Sequence, residues 1–350
     1  MSEAENKDRC NMDERRELLL KLAAARKSFV MAYITSDRQP PFQARMASDV
    51  IRPFYEHLQN IGHVEQLDLV VYSAGGDTMV PWRLASLLRE YCDRFCVLVP
   101  YKALSAATLL ALGADEIVMG PMSELSPIDP SIGTPYNPPH PDNPSEKKLE
   151  IPVEDVLGYI SLAKERVGIS EQSNLVQVFN KLVDRLHPLA IGAVHRSHAL
   201  IRLLAGRLLA LHMKSKEESQ RISKIVDDLA EKLYYHSYLI NRKEAKELGL
   251  KVTQPSKEIE NLTWELYLSY EKEMELGKAF DPSSYPIGKE QQVATAFIES
   301  KDVCSKFLKN IVVASIPVQM PPGGPPAQFA IKEQVLGWIT ERIAQGGVKE

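Results

Sequence analysis

Cysteine is scarce in this sequence. The four cysteines are Cys10, Cys92, Cys96 and Cys304. They form neither a C-x-x-C pair nor a pattern with paired histidines, so their spacing predicts neither a disulfide framework nor a zinc site. We expect Cys92 and Cys96 to be buried as small apolar residues.

Long uncharged apolar runs are also missing. None reaches the ~18 residues that a membrane span requires, so we expect no membrane span. The N-terminal residues are polar and highly charged, unlike a signal peptide, and we expect a cytoplasmic protein. A net charge of −4 and a pI near 6.1 give no indication of binding to nucleic acid or to an anionic membrane.

The composition is that of a soluble globular protein, with 350 residues, 44% hydrophobic and 25% charged. This length allows one large domain, or a main domain with a helical appendage. Strands and helices alternate over the first 120 residues, and repeated strand–helix–strand units predict an α/β core with parallel pairing. The predicted elements are a helix at 13–27, a strand at 28–35, a helix at 44–62, a strand at 67–73, a helix at 78–91, a strand at 94–100, a helix at 104–113 and a strand at 116–120.

The remainder of the chain has a different character. Residues 121–150 are rich in Pro, Ser and Asn, which is typical of a functional loop inside a compact domain. From 152 to about 276 the pattern is overwhelmingly helical. Near the end, residues 291–316 predict a hairpin, and 330–345 a last helix.

Two short motifs carry the chemistry. In "YSAGGD" (72–77) a glycine pair ends a buried strand and precedes a helix, so backbone N–H groups there can face a negative charge. The motif alone has low specificity, because it lacks the G-x-G-x-x-G fingerprint and the P-loop lysine. Taken alone, it is better explained by a Gly-Gly turn that simply connects a strand to a helix.

The second motif is "ALSAAT" (103–108), on the next strand-to-helix turn. An isolated serine at a helix start, here Ser105, normally acts as an N-cap. Successive turns of this kind, however, lie side by side at the carboxyl ends of adjacent parallel strands. The hydroxyl could therefore face a glycine N–H that stabilises an oxyanion.

These motifs bring out a family resemblance. Residues 67–132 resemble the Clp-protease/crotonase superfamily, and within it the serine dehydrogenase proteinase branch, which is related to signal peptide peptidase A. Supporting similarity comes from "GADEIVMGPMSELSPIDPSIG" (113–133), "YHSYLINRKEAKELGLKV" (235–252) and the helical 184–209. The resemblance implies an α/β fold with a Clp/crotonase-like core of repeated strand-strand-helix units and a large helical extension.

The resemblance also implies a domain division. Residues 1–27 would form a charged helical segment, and 28–276 the Clp/crotonase-like domain with a helical insertion at about 152–234. Residues 277–350 would form a C-terminal extension that contains the hairpin and the last helix.

Site roles follow position by position from the same resemblance. Ser105 matches the nucleophile, and the N–H groups of Gly76, 29 residues earlier, and Ala106 match the oxyanion hole. The chain departs from the family pattern at the next position, since Asp129 stands where Clp-type peptidases carry the catalytic histidine. His236 stands about where they carry the orienting aspartate.

The group that would activate Ser105 is left open by the sequence. An imidazole titrates near neutrality, so His236 is the first candidate, and Asp129 could orient it. A lysine is the second candidate: Lys102 is three residues from Ser105, whereas Lys147 and Lys148 lie in a stretch that looks solvated. In the third alternative nothing activates the serine, and the protein is an inactive member of the superfamily.

The leading prediction is an ATP-independent serine peptidase or peptidase-like hydrolase that acts on a peptide or protein and needs no cofactor or metal. The alternatives are a catalytically inactive scaffold or adaptor and, less favoured, a crotonase-like acyl-CoA enzyme. A nucleophile serine is unnecessary in the acyl-CoA enzyme, and the chain has no CoA-binding signature. The resemblance further implies a homo-oligomer assembled through the helical part.

Overall fold

A computed structural model describes residues 3–128, 131–140, 148–232, 238–316 and 328–342. Its strands are β1 (Phe29–Thr35), β2 (Val64–Tyr72), β3 (Cys92–Val99), β4 (Lys102–Ala103), β5 (Glu116–Met119), β6 (Glu124–Leu125), β7 (Ser131–Ile132), β8 (Ile151–Pro152), β9 (Ile240–Asn241), β10 (Val252–Thr253), β11 (Glu290–Ser300), β12 (Val303–Ile316) and β13 (Gln328–Arg342).

The α-helices alternate with these strands and then dominate the middle of the chain. They are α1 (Glu3–Arg26), α2 (Ile51–Ile61), α3 (Val80–Arg89), α4 (Ala106–Leu112), α5 (Val153–Ser161), α6 (Gln172–Val183), α7 (Pro188–Ala210), α8 (Lys216–Asp227), α9 (Arg242–Glu247) and α10 (Lys257–Met274). Shorter 3-10 segments lie at Ser48–Val50 and Pro282–Ser284, and π-helical segments at Leu162–Arg166 and Asp228–Lys232.

One large sheet organises the molecule, with strand order β10-β5-β3-β2-β1-β11-β12-β13. The first five strands in this order pair in parallel, and β11, β12 and β13 continue the sheet beyond β1 in antiparallel fashion. The predicted parallel α/β core is confirmed. The parallel half leaves the carboxyl ends of β2 and β3 at one edge of the sheet, which is where the two motifs follow.

Both faces of the sheet are covered, as continuous apolar strands predict. Successive side chains of β1 point to opposite faces: Met31 and Tyr33 enter the core formed with α2, α3 and α4, whereas Ala32 and Ile34 enter the core formed with α1 and α10. The expected burial of Cys92 and Cys96 is confirmed in β3.

A second, small sheet stands beside the first, with the order β4-β6-β9. Strand β3 is followed by β4 and then α4, and β5 is followed by β6. A strand of the large sheet is thus twice followed by a strand of the small sheet, the first time with a helix directly after it, which agrees with the expected strand-strand-helix units. The helices α5 to α8 form the helical extension.

The C-terminal part agrees with the sequence prediction in one element and differs in another. The hairpin is confirmed as β11 paired antiparallel with β12. The last helix predicted at 330–345 is wrong, because β13 pairs with β12 along Gln328–Arg342. Ile331, Val335 and Ile339 recur every four residues, which imitates a helix, but these β-branched residues suit a strand, and β12 supplies a hydrogen-bonding partner for the backbone.

The predicted helix at 44–62 also begins later than expected, at Ser48–Val50 and then α2. The preceding residues are not helical because Met46 forms a bridge with Gly76, in the first motif. The division into three domains stays a prediction. Among the described helices, none is both long and apolar enough to cross a membrane.

Candidate active site

The two motifs lie against each other at the edge of the large sheet. The Ser73 N–H donates to the Lys102 carbonyl (3.0 Å), and the Leu104 N–H donates to the Ser73 carbonyl (3.0 Å). This short parallel bridge continues β2 alongside β4. It brings the glycine turn beside the serine turn, as the order of the strands predicts.

Gly75 makes this close approach possible. Its φ is +99°, a backbone conformation that residues other than glycine rarely adopt. A Cβ at this position would lie 2.8 Å from both the Leu104 carbonyl oxygen and Ser105 Cβ, and 3.0 Å from the Ala106 nitrogen. The first glycine of the pair therefore serves to pack one turn on the other.

Gly76 is held from its other side by Met46. The Met46 N–H donates to the Gly75 carbonyl (2.9 Å), and the Asp77 N–H donates to the Met46 carbonyl (2.8 Å). In a parallel bridge the N–H of the central residue points away from the partner strand. The Gly76 N–H therefore faces away from Met46, and it has no acceptor among the described residues.

Ser105 has a conformation that an ordinary capping serine does not need. Its φ of 52° and ψ of −115° are unusual for a residue with a side chain. The side chain makes no capping hydrogen bond to α4, so the N-cap interpretation fails here. The residue is half-buried. Such strain, of order 1–3 kcal/mol, persists only where the surrounding structure enforces it, and it is concentrated at functional sites.

Two backbone donors accompany the hydroxyl. The Ala106 N–H opens helix α4 and, like that of Gly76, has no acceptor among the described residues. The Ser105 N–H, in contrast, donates to Ser126 Oγ (2.7 Å). The site therefore presents a strained serine together with two N–H groups that have no acceptor in the described part of the chain, and N–H groups of this kind can stabilise an oxyanion.

Buried hydroxyls that sequence reasoning missed hold the glycine turn. Ser73 Oγ accepts from the Gly75 N–H (3.1 Å) and from Thr35 Oγ1 (2.8 Å). Both Ser73 and Thr35 are fully buried, at the ends of β2 and β1. A hydroxyl residue directly after a continuous apolar strand is the sequence feature that could have indicated this role.

A second set of hydroxyls holds the serine turn. Thr108 Oγ1 donates to the Ala103 carbonyl (2.7 Å) and accepts from the Ser126 N–H (3.0 Å). Ser126 in turn contacts Ser105 and donates from Oγ to the Pro127 carbonyl (2.9 Å). The loop after β6 is thereby fixed to the start of α4.

Lys102, the alternative base, is engaged elsewhere. Its Nζ lies 2.9 Å from Asp37 Oδ2 and 4.8 Å from the centre of the Tyr101 ring. Burial, the largest influence, lowers the Lys102 pKa, but the hydrogen bond and charge of Asp37 outweigh it and leave that pKa raised. A raised pKa keeps the Lys102 ammonium protonated, so little neutral amine is present to accept a proton from Ser105 near neutral pH.

The other candidate bases lie differently. Asp129, His236 and Lys147 lie outside the described residues, and Lys148 is exposed. Described residues lie on either side of Asp129 and of His236. Before Asp129, the Ile128 N–H donates to the carbonyl of Leu229, which precedes His236 (3.2 Å).

Strand β9 begins at Ile240, four residues after His236. Ile240 in β9 pairs with Leu125 in β6, next to Ser126. Within the described part of the chain, no group of three His, Cys, Asp or Glu side chains is placed to hold a metal ion.

Comparison with known proteins supports the resemblance. Residues 3–141 match the sequence model of the ClpP-like SDH-type serine proteinase family. This segment contains both glycines, Ser105 and Asp129, whereas His236 lies beyond it. The match and the strand-strand-helix architecture together show a Clp/crotonase-like fold.

Two curated relatives come from Methanocaldococcus jannaschii, and both are named uncharacterized proteins. MJ0137 is 29% identical over 187 residues, 53% of this chain and 53% of that protein. MJ1495 is 25% identical over 186 residues, 53% of this chain and 51% of that protein. The chain thus spans about half the length of the curated relatives it matches.

Proposed function

We propose that this chain, which carries in residues 3–141 a segment of the ClpP-like SDH-type serine proteinase family, is an ATP-independent serine peptidase or peptidase-like hydrolase. The observation that carries the proposal is the strained, uncapped Ser105 beside the N–H groups of Gly76 and Ala106, for which the described residues supply no acceptor. A connecting turn requires neither the strain nor the pair of free donors.

In the proposed reaction Ser105 Oγ attacks the carbonyl carbon of a peptide bond, and its proton passes to a base. The carbonyl oxygen becomes an oxyanion that accepts hydrogen bonds from Gly76 and Ala106, a contribution typically worth about 10²–10³ in rate per donor. The C–N bond then breaks, the amine leaves with the proton from the base, and an acyl-enzyme forms. Water attacks the acyl-enzyme in the same way and releases the acid and Ser105.

For the base we propose His236, oriented by Asp129. Their described neighbours support this assignment: Ile128 is hydrogen-bonded to Leu229, and Ile240 pairs with Leu125 beside the serine turn. Four extended residues span at most about 14 Å, so the chain allows His236 to approach that turn from Ile240. The ion pair of Lys102 with Asp37 disfavours the alternative base.

The proposal includes peptide or protein substrates, a cytoplasmic location and a homo-oligomeric assembly. Helix α6 supports the last of these, because it is amphipathic and yet none of its residues is buried. Val176 and Phe179 on this helix are 51% and 47% exposed, and exposed apolar patches of this kind mark interaction surfaces. A second copy of the chain is the partner we propose for this face.

A fluorophosphonate probe tests the peptidase proposal, because the oxygen of an activated serine attacks its phosphorus, displaces fluoride and becomes phosphonylated. We expect the native protein to be labelled and Ser105→Ala to remain unlabelled. Ser86→Ala is the matched control: Ser86 is also half-buried but donates to the Trp82 carbonyl within α3, so its loss leaves labelling intact. A native protein that never reacts, or an equally reactive Ser105→Ala variant, would favour the inactive scaffold instead.

A further inference from the structure

Ser126 has a hydroxyl group whose hydrogen bonds are all directed at the serine turn and its own loop. The residue is 2% exposed. Its Oγ accepts from the Ser105 N–H at 2.7 Å and donates to the Pro127 carbonyl at 2.9 Å, while its own N–H donates to Thr108 Oγ1 at 3.0 Å. A buried hydroxyl so engaged fixes the groups that it contacts.

The first of these bonds acts on the strained residue itself. Ser105 has a positive φ, and without Ser126 its N–H would be an unpaired donor next to that of Ala106 at the start of α4. The contact with Ser126 removes this N–H from the donors that could meet an oxyanion. The free donor on this turn is then the N–H of Ala106, one residue further on.

We propose that Ser126 is a positioning residue for the nucleophile, an inference that rests on the proposed peptidase function. Through the Ser105 N–H it holds the backbone of Ser105 in the conformation of positive φ from which both Oγ and the adjacent Ala106 N–H project.

Ser126→Ala and Ser123→Ala form a matched pair of variants. Ser123 is a buried serine on the other side of β6, 1% exposed, and its Oγ accepts from the Gly120 N–H and donates to the Val99 carbonyl, away from Ser105. Both variants lose one buried hydroxyl and similar stability. Only Ser126→Ala frees the Ser105 N–H.

The experiment measures the rate constant and the half-saturation concentration for inactivation by a fluorophosphonate. For Ser126→Ala we expect the rate constant to fall about 10- to 100-fold with unchanged half-saturation, since misplacement of a reacting group costs this much. Ser123→Ala should stay within about twofold of the native rate, and Ser126→Thr, which retains the acceptor, should recover most of the rate. Thermal melts establish that each variant is folded.

Hydrogen exchange at the Ser105 amide, resolved by mass spectrometry with fragmentation, supplies a readout independent of activity. We expect faster exchange in Ser126→Ala and native exchange in Ser123→Ala. Native labelling kinetics and native exchange in Ser126→Ala would overturn the positioning role and leave the peptidase proposal intact. If the native protein itself is not labelled, the peptidase proposal fails, and unchanged exchange would then exclude the contact as well.

Discussion

Gly75 and Ser105 lie so close together that a single added carbon on the glycine would lie 2.8 Å from Ser105 Cβ. The distance between the glycine turn and the serine turn is therefore set by the missing side chain. The geometry of the candidate site thus depends on a residue that takes no part in the chemistry.

Replacement of Gly75 by alanine should abolish reaction with a fluorophosphonate and destabilise the protein. The new Cβ meets the backbone and side chain of the serine turn, and φ at this position is +99°. We expect the free energy of unfolding to fall by about 1–3 kcal/mol or more. Denaturant titration and labelling measure the two effects.

Gly62→Ala is the control that separates the effect of backbone strain in Gly75→Ala from the effect of the steric contact with the serine turn. Gly62 also has a positive φ, +73°, but nothing lies within 4 Å of a Cβ placed there. This variant should lose about 1 kcal/mol and retain full labelling. Normal labelling of Gly75→Ala would contradict the role assigned to the contact between the turns.

The identity of the base can be tested with Lys102 and His236. We expect Lys102→Met to retain fluorophosphonate reactivity within about tenfold, because Nζ is paired with Asp37 and its pKa is raised. His236→Ala should lower the rate about 100-fold or more, the usual contribution of a general base. Second-order rate constants for labelling decide between the two bases.

The pH dependence of the same reaction provides an independent check. A base acts in its deprotonated form, so the rate rises with pH through the pKa of the base. With a histidine base the rise is expected near the ordinary histidine value of about 6.5. A rate that keeps rising above pH 10.5 and disappears in Lys102→Met would favour the lysine instead.

The sequence predicted the order of strands and helices in the parallel half because each strand there is a continuous apolar run bounded by turn residues. It also predicted that the glycine turn lies beside Ser105, because the turns that follow adjacent parallel strands lie at the same edge of the sheet. These features depend on local pattern and on general rules of topology.

The role of the Ser126 hydroxyl could not be predicted in the same way. It depends on which backbone groups the small sheet β4-β6-β9 brings within reach, and hydroxyl side chains are common in loops of every kind. The error at β13 has a related cause. The spacing of Ile331, Val335 and Ile339 fits a helix, and the segment forms a strand because its backbone hydrogen-bonds to β12.

His57 should make the protein less stable in mild acid. Its ring is fully buried, with Nδ1 3.0 Å from Ser300 Oγ and Nε2 3.1 Å from Ser305 Oγ. Burial lowers the pKa of His57 from 6.5 to about 4. Between these values the unfolded chain binds a proton that the folded chain does not. The free energy of unfolding therefore decreases as the pH is lowered from 6.5 to 4, by about 3 kcal/mol in total.

Denaturant titrations from pH 7 to pH 4 test this dependence, with His57→Gln beside His63→Gln. Glutamine can hydrogen-bond both serines without titrating, so the decrease in His57→Gln should be smaller by about 3 kcal/mol over this window. His63 is exposed and pairs loosely with Asp93, at 3.7 Å, so its variant should follow the native curve. Parallel curves for all three proteins would show that His57 does not control the acid response.

The exposed face of α6 should govern self-association. Phe179 is 47% exposed on a helix without a buried residue, and a glutamate there would place a charge in any apolar interface that forms. We expect Phe179→Glu to reduce the molar mass measured by size-exclusion chromatography with light scattering, at concentrations where the native chain is oligomeric. Leu268→Glu introduces the same charge at a different exposed apolar residue, which lies on α10 and is 38% exposed, and should leave the mass unchanged. A monomeric native chain, or an equal loss of mass in both variants, would exclude α6 as the interface.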